Sequence, residues 1–154
     1  VRRLFNPVLK ARAMFEELSS GPVEPASMHP GEARRRQVMG DAFVDRALQN
    51  ATAFTMPLQT LTNEHAWGST WLRDGLSLKQ RSLCTVAMLA ALGHGQELKG
   101  HLRGALNNGA SLQELREVLL HVAPYAGVPA TQAAFRAALE WMKEDGLSFD
   151  GPAA

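Results

Sequence analysis

Residues 83–92 form the longest apolar run in the chain, apolar on every side of a helix. Such a helix offers no face to water, so the pattern predicts that other helices or another subunit wrap it. An amphipathic segment follows, ends at Asn107-Asn108-Gly109, and brings His101 close to that buried rod. Ahead of the run, Ser77 is placed to cap the helix by accepting a backbone N–H; behind it, Gly93 and Gly95 end it. The next helix is expected over 96–108, with Gly109 as a left-handed stop. Ser111 and Glu114 form a capping-box pair that opens a helix with Leu112, Leu115, Val118, Leu119 and Val122 on its apolar face. Pro124 should kink that helix near its end. Pro129 opens a last helix, patterned by Ala133, Phe135, Leu139 and Met142.

The first half of the chain is more broken. Val8, Ala11, Met14, Phe15 and Leu18 recur at helical spacing after Asn6-Pro7, and Ser19-Ser20-Gly21-Pro22 stops them. Residues 19–31 are rich in Pro, Gly and Ser and read as a linker. Residues 1–31 are thus an extension, 32–145 the helical domain and 146–154 a frayed tail. A helix is predicted from 32 to Met39, closed by Gly40, then a turn and short helix over 41–50. A longer helix is predicted over about 52–71, with Pro57 in its first turns and Leu58, Leu61 and His65 on one stripe. No strand pattern or repeat appears, so the fold class is all-α.

Composition narrows the picture. The chain has 154 residues, 45% apolar and 20% charged, which suits one domain with one core. A formal charge of +1 gives no electrostatic reason to expect nucleic acid. Arg34-Arg35-Arg36 reads as a solvated helix face. No apolar stretch reaches the length of a membrane span. Cys84 is the single cysteine, so no intrachain disulfide can form, and the expected compartment is a reducing cytoplasm. Its place in the apolar run marks it as a core thiol.

The chemistry rests on few side chains. His94, Glu97 and His101 fall at i, i+3 and i+7, but the glycines flanking His94 argue against a single helical metal face, and no metal is expected. His101 and His65 can give or take a proton near neutral pH. Arg81 enters the apolar helix, with Arg73 and Arg103 close in sequence, and a guanidinium suits a carboxylate. Trp67 and Trp71, at i and i+4, pack in the core or wall a dry pocket. His29 and His121 read as structural or solvated.

Four segments, RRRQVMGDAFVDRALQNATAF, NEHAWGSTWLRDGLSLKQRSLCTVAMLAALG, ELKGHLRGALNNG and LREVLLHVAPYAGVPATQAAFRAA, occur in this order. Together they resemble the carboxymuconolactone decarboxylase family, from about residue 34 to 138. The resemblance implies an alkylhydroperoxidase D-like helical fold, assembled as a homotrimer or homohexamer that covers the apolar helix. The peroxidase relatives use a C-x-x-C pair and a histidine four residues later. Here those positions are His94, Glu97 and His101, so thiol chemistry is not implied. What is implied is cofactor-free loss of CO2 from a dicarboxylate lactone, 4-carboxymuconolactone, in protocatechuate breakdown. His101, His65 and Arg81 are the implied catalytic residues; Trp67, Trp71, Glu64, Glu97 and Tyr125 line the substrate. Two alternatives stay open: a paralogue acting on another unsaturated lactone or oxo-acid, and a non-catalytic ligand-binding protein.

Overall fold

The computed structural model describes residues 28–149, and the expected N-terminal helix lies outside them. Among the described residues every regular element is helical. In chain order these are α1 (Pro30–Met39), α2 (Asp41–Gln49), α3 (Met56–Leu61), a π-helix (Thr62–Thr70), α4 (Leu78–Leu92), α5 (Gly95–Asn107), α6 (Leu112–His121), α7 (Ala123–Ala126) and α8 (Val128–Glu144). No helix among them is long and apolar enough to cross a membrane.

The caps sit where the polar pattern put them. Ser77 Oγ accepts from the Gln80 amide at 3.2 Å, and Gln80 Oε1 accepts from the Ser77 amide at 2.9 Å. Ser111 and Glu114 make the same reciprocal pair at 3.1 and 2.8 Å. Each box satisfies N–H groups that the first helical turn leaves open. Gly93 and Gly109 close their helices at φ of +76° and +84°, a conformation that costs a residue without Cβ little. The chain after His121 restarts as the short α7 across Pro124.

Two apolar clusters flank α5. On one side Leu98, Leu102 and Ala105 meet Val86 and Ala90 of α4, Leu115 and Leu119 of α6, and Trp141 of α8. On the other, Val38, Met39 and Val44 gather with Trp67 and Trp71. Gly100 and Gly104 let α1 and the start of α2 lie close on α5, with the Met39 side chain 3.1 and 3.3 Å from where a Cβ would stand. The two asparagines that end α5 lock this arrangement. Asn107 Nδ2 donates to the Val38 carbonyl at 3.0 Å, and Asn108 Nδ2 to Ser82 Oγ at 2.9 Å.

Within its own chain the apolar α4 is covered on one face only, through Ser82, Val86 and Ala90, while Met88 and Leu92 are exposed. Two expectations change. Cys84 is likewise exposed rather than a core thiol, because it falls on the uncovered face. The arginine run is not a uniformly solvated face either. Arg36 pairs outside with Glu32 and Asp45 at 2.9 and 2.7 Å, but Arg35, one residue earlier, points inward and is buried.

Candidate functional site

The expected single helix over 52–71 is two elements in series, and the second is wound as a π-helix. The Trp71 amide reaches back five residues, to the Ala66 carbonyl at 3.2 Å. Asn63, Trp67 and Trp71, spaced four apart, face inward, while Leu58, Leu61 and His65 all face out. Wide turns of this kind recur where a helix must aim side chains at a site. No local residue signal separates this segment from an α-helix, which is why periodicity missed it.

Two contacts with α1 hold the π-helix. Gly31 lies directly on the Asn63 carbonyl, with no room for a Cβ. Arg35 donates through Nη1 to Gln59 Oε1 at 2.9 Å and Asn63 Oδ1 at 3.2 Å. Burial pulls this guanidinium below its ordinary proton affinity, and the charge of Glu32 opposes that. His29, expected to be structural or solvated, caps α1 by accepting from the Gly31 amide at 3.1 Å.

So held, the π-helix brings Trp67 against both Trp71 and His101. The tryptophan rings are 4.8 Å apart between centroids. The imidazole lies over Trp67 at 6.2 Å with the ring planes 7° from parallel. Burial lowers the His101 pKa below its ordinary 6.5, and the Glu97 carboxylate one turn earlier pulls the other way. An imidazole parallel to an indole and offset from it, at the edge of an apolar cluster, is a group able to give or take a proton away from bulk water.

Arg81 belongs to the neighbouring corner. Leu78, one turn before it on α4, packs against the tryptophan cluster. Arg81 Nη2 donates to the Arg73 carbonyl at 2.7 Å, which fixes the guanidinium. Its Nε–H is buried and finds no acceptor among the described residues. A buried donor left open costs free energy, and a guanidinium is the side chain suited to a carboxylate. Arg103, the other arginine nearby in sequence, is committed to Asp145 through two bonds at 2.7 and 2.5 Å.

The other candidates are dispersed. His65 is exposed on the π-helix, and its carbonyl accepts from the Ser69 hydroxyl. Glu64 lines a separate open hollow with Pro57 and Leu61. Glu97 is exposed and acts on His101 through its charge. Tyr125 stands on α7, its ring 5.2 Å from His121, along a groove of about 640 Å³ shared with Cys84 and Met88. Among the described residues no three His, Cys, Asp or Glu side chains group as metal ligands would.

Comparison with known proteins settles the lineage. A model of the "Carboxymuconolactone decarboxylase family" matches residues 56–140, which spans the π-helix, α4, α5 and most of α8. The chain belongs to the carboxymuconolactone decarboxylase family. It is 43% identical over 114 residues to 4-carboxymuconolactone decarboxylase of Acinetobacter baylyi, covering 74% of this chain and 85% of that protein. It is 48% identical over 96 residues to nitrosuccinic acid decarboxylase npaB of Metarhizium robertsii, covering 62% of this chain and 67% of that one. Both named relatives are decarboxylases, which puts this family member among the carboxy-lyases. The two names differ in substrate, so the choice of acid must be argued from chemistry.

Proposed function

We propose that this carboxy-lyase removes CO2 from 4-carboxymuconolactone, giving the enol-lactone of 3-oxoadipate, without a cofactor and in the cytoplasm, as a step of protocatechuate breakdown. The observation that carries the reading is the His101 imidazole, half-buried and stacked on Trp67. The bond between the ring and the departing carboxylate breaks, and its electron pair moves into the ring toward the lactone carbonyl as a dienolate. The substrate supplies its own electron sink, so the protein has only to position, neutralise and protonate.

Arg81 suits the carboxylate that is kept, because gripping the departing one would oppose release of neutral CO2. Burial disfavours the charged form of His101 in the free protein. A bound dianion raises its proton affinity, so the imidazole takes up a proton with the substrate and returns it to carbon after CO2 leaves. Trp67 and Trp71 exclude water beside it. His65 is a second proton carrier at the outer edge. Glu97 acts on the His101 imidazole through its charge, and Glu64 and Tyr125 are further candidates for substrate contact.

A homotrimer or homohexamer is the assembly we propose. Met88 and Leu92 of α4, Leu120 of α6 and Val128 of α8 are all exposed, and apolar surface of that extent on one protomer favours burial against a second copy.

The relative named for nitrosuccinic acid supports a second reading with the same logic. That substrate is also a dicarboxylic acid with a built-in sink, since a nitro group accepts the electron pair as a nitronate. Initial rates of CO2 release on the two acids decide between them. Faster turnover of 4-carboxymuconolactone is expected; turnover of nitrosuccinate alone selects the second reading. Failure on both would favour a family member acting on another unsaturated lactone or oxo-acid.

A further inference from the structure

The described fold begins at Met28, and the next residue fixes where the chain enters it. The His29 ring lies 3.0 Å from the point that a Cβ on Gly68 would occupy. Gly68 is four residues on from Glu64, so about one turn of the π-helix separates them. Glu64 lines an open hollow of about 580 Å³ with Met56 and Leu61 of α3, and among the described residues lining it Glu64 alone is charged. Phe54, Met56, Leu58 and Leu61 are all exposed. Large apolar side chains gathered this closely on one surface mark a face that binds something. They stand on different elements from the exposed residues of α4, α6 and α8 that favour a second copy.

The sequence ahead of Met28 supplies an occupant. Val8, Ala11, Met14, Phe15 and Leu18 make one apolar stripe on the helix expected after Pro7, which lies outside the described residues. Lys10 and Arg12 border that stripe, one on each side. At 1.5 Å per residue the stripe is about 15 Å long, close to the length of α3 with the first turn of the π-helix. Residues 19–27 join it to Met28. Extended, that tether spans up to about 30 Å, so the helix can turn back over α3 of its own chain. A tether this short also gives it an effective concentration of the order of millimolar there.

We propose that residues 7–18 dock on α3 and the first turn of the π-helix of their own chain. Their apolar stripe covers Met56, Leu58 and Leu61, and a bordering cation, Lys10 or Arg12, meets Glu64. The docked segment also walls off His65, which faces out beside Leu58 and Leu61. The proposal rests on this surface and on where the chain enters the fold, and is independent of the substrate.

Trypsin cuts after Lys10 and Arg12, and a docked helix must open before either bond reaches the protease. Cleavage at these two sites is timed by mass spectrometry in the full chain and in Leu58→Asp/Leu61→Asp, with circular dichroism to follow folding. The variant is expected to be cut there at least about tenfold faster; equal rates would overturn the proposal. Phe15→Asp makes the same test from the side of the segment and leaves every described residue in place, so it decides the matter even where the first variant folds poorly. It too should speed cleavage, and an unchanged rate would overturn the proposal. A crosslink distinguishes the own chain from a neighbour. Thr60 lines the hollow and is exposed. In a Cys84→Ser background, Arg12→Cys and Thr60→Cys are treated with a short bismaleimide. Bridging within one chain is expected. Bridging confined to pairs of chains would give the face to a second copy, and that result, or no bridging at all, would overturn the proposal.

Discussion

Gly31→Ala tests how the site is built. A Cβ at residue 31 would stand 1.9 Å from the Asn63 carbonyl oxygen and 2.7 Å from the Gly68 amide nitrogen. Both are backbone atoms of the π-helix, so no side chain can turn aside. Relief to 3.4 Å, where ordinary contact begins, asks α1 and the π-helix to part by about 1.5 Å. That separation would also break the Arg35 bonds to Gln59 and Asn63, now 2.9 and 3.2 Å. Overpacking of this kind costs about 1–3 kcal/mol, and a hydrogen bond from a charged group about as much again, so the loss should be about 3–5 kcal/mol. For a domain of this size that lowers Tm by roughly 6–20 °C. Thermal unfolding followed by circular dichroism measures it, with Gly75→Ala as the control, since Gly75 has nothing within 4 Å of its added Cβ. A Gly31→Ala protein melting within about 2 °C of the wild type would refute the claim that α1 and the π-helix are locked backbone to backbone.

Other outcomes follow from the same geometry. His101→Ala should lower kcat by at least roughly a hundredfold, the usual scale for losing a positioned acid or base; steady-state CO2 release would show it, and near-normal turnover would remove His101 from the chemistry. Arg81→Met should raise KM for a dicarboxylate substrate more than for a monocarboxylate analogue, and equal effects would make Arg81 structural. Because burial lowers the His101 pKa from 6.5, the unfolded chain binds a proton there more readily than the folded one. His101 thus contributes stability that is present above pH 6.5 and is lost as pH falls from there through the lowered folded-state value. Urea unfolding at a series of pH values should show that acid-side slope in the wild type and a shallower one in His101→Gln.

Much of the helical plan is written in local signals. Ser77 with Gln80, Ser111 with Glu114, and the glycines at 93 and 109 each act within one turn, so their effect can be read from a few neighbouring residues. Features that depend on distant partners are less legible. Arg35 and Arg36 are adjacent and chemically identical. Only the Gln59 and Asn63 side chains across the fold decide that the first is buried. The exposure of Cys84 has the same kind of cause, since an apolar helix does not say which of its faces the other helices of its own chain will cover. The π-helix is the largest gap. Read with a period of 3.6, residues 52–71 carry Leu58, Leu61 and His65 on one stripe and Asn63, Trp67 and Trp71 on another, and only the rest of the fold decides that the second is buried. The pairing of Trp67 with His101 joins two elements and cannot be read from spacing within either.

The central claim is that a dicarboxylate carrying its own electron sink needs only an imidazole and a guanidinium beside a dry aromatic wall. Its most direct test is the rate of CO2 release from fresh 4-carboxymuconolactone by the purified full chain, before and after exhaustive dialysis against a chelator. The account predicts stoichiometric CO2 and an unchanged rate. A rate that collapses on dialysis and returns with an added divalent metal would contradict it.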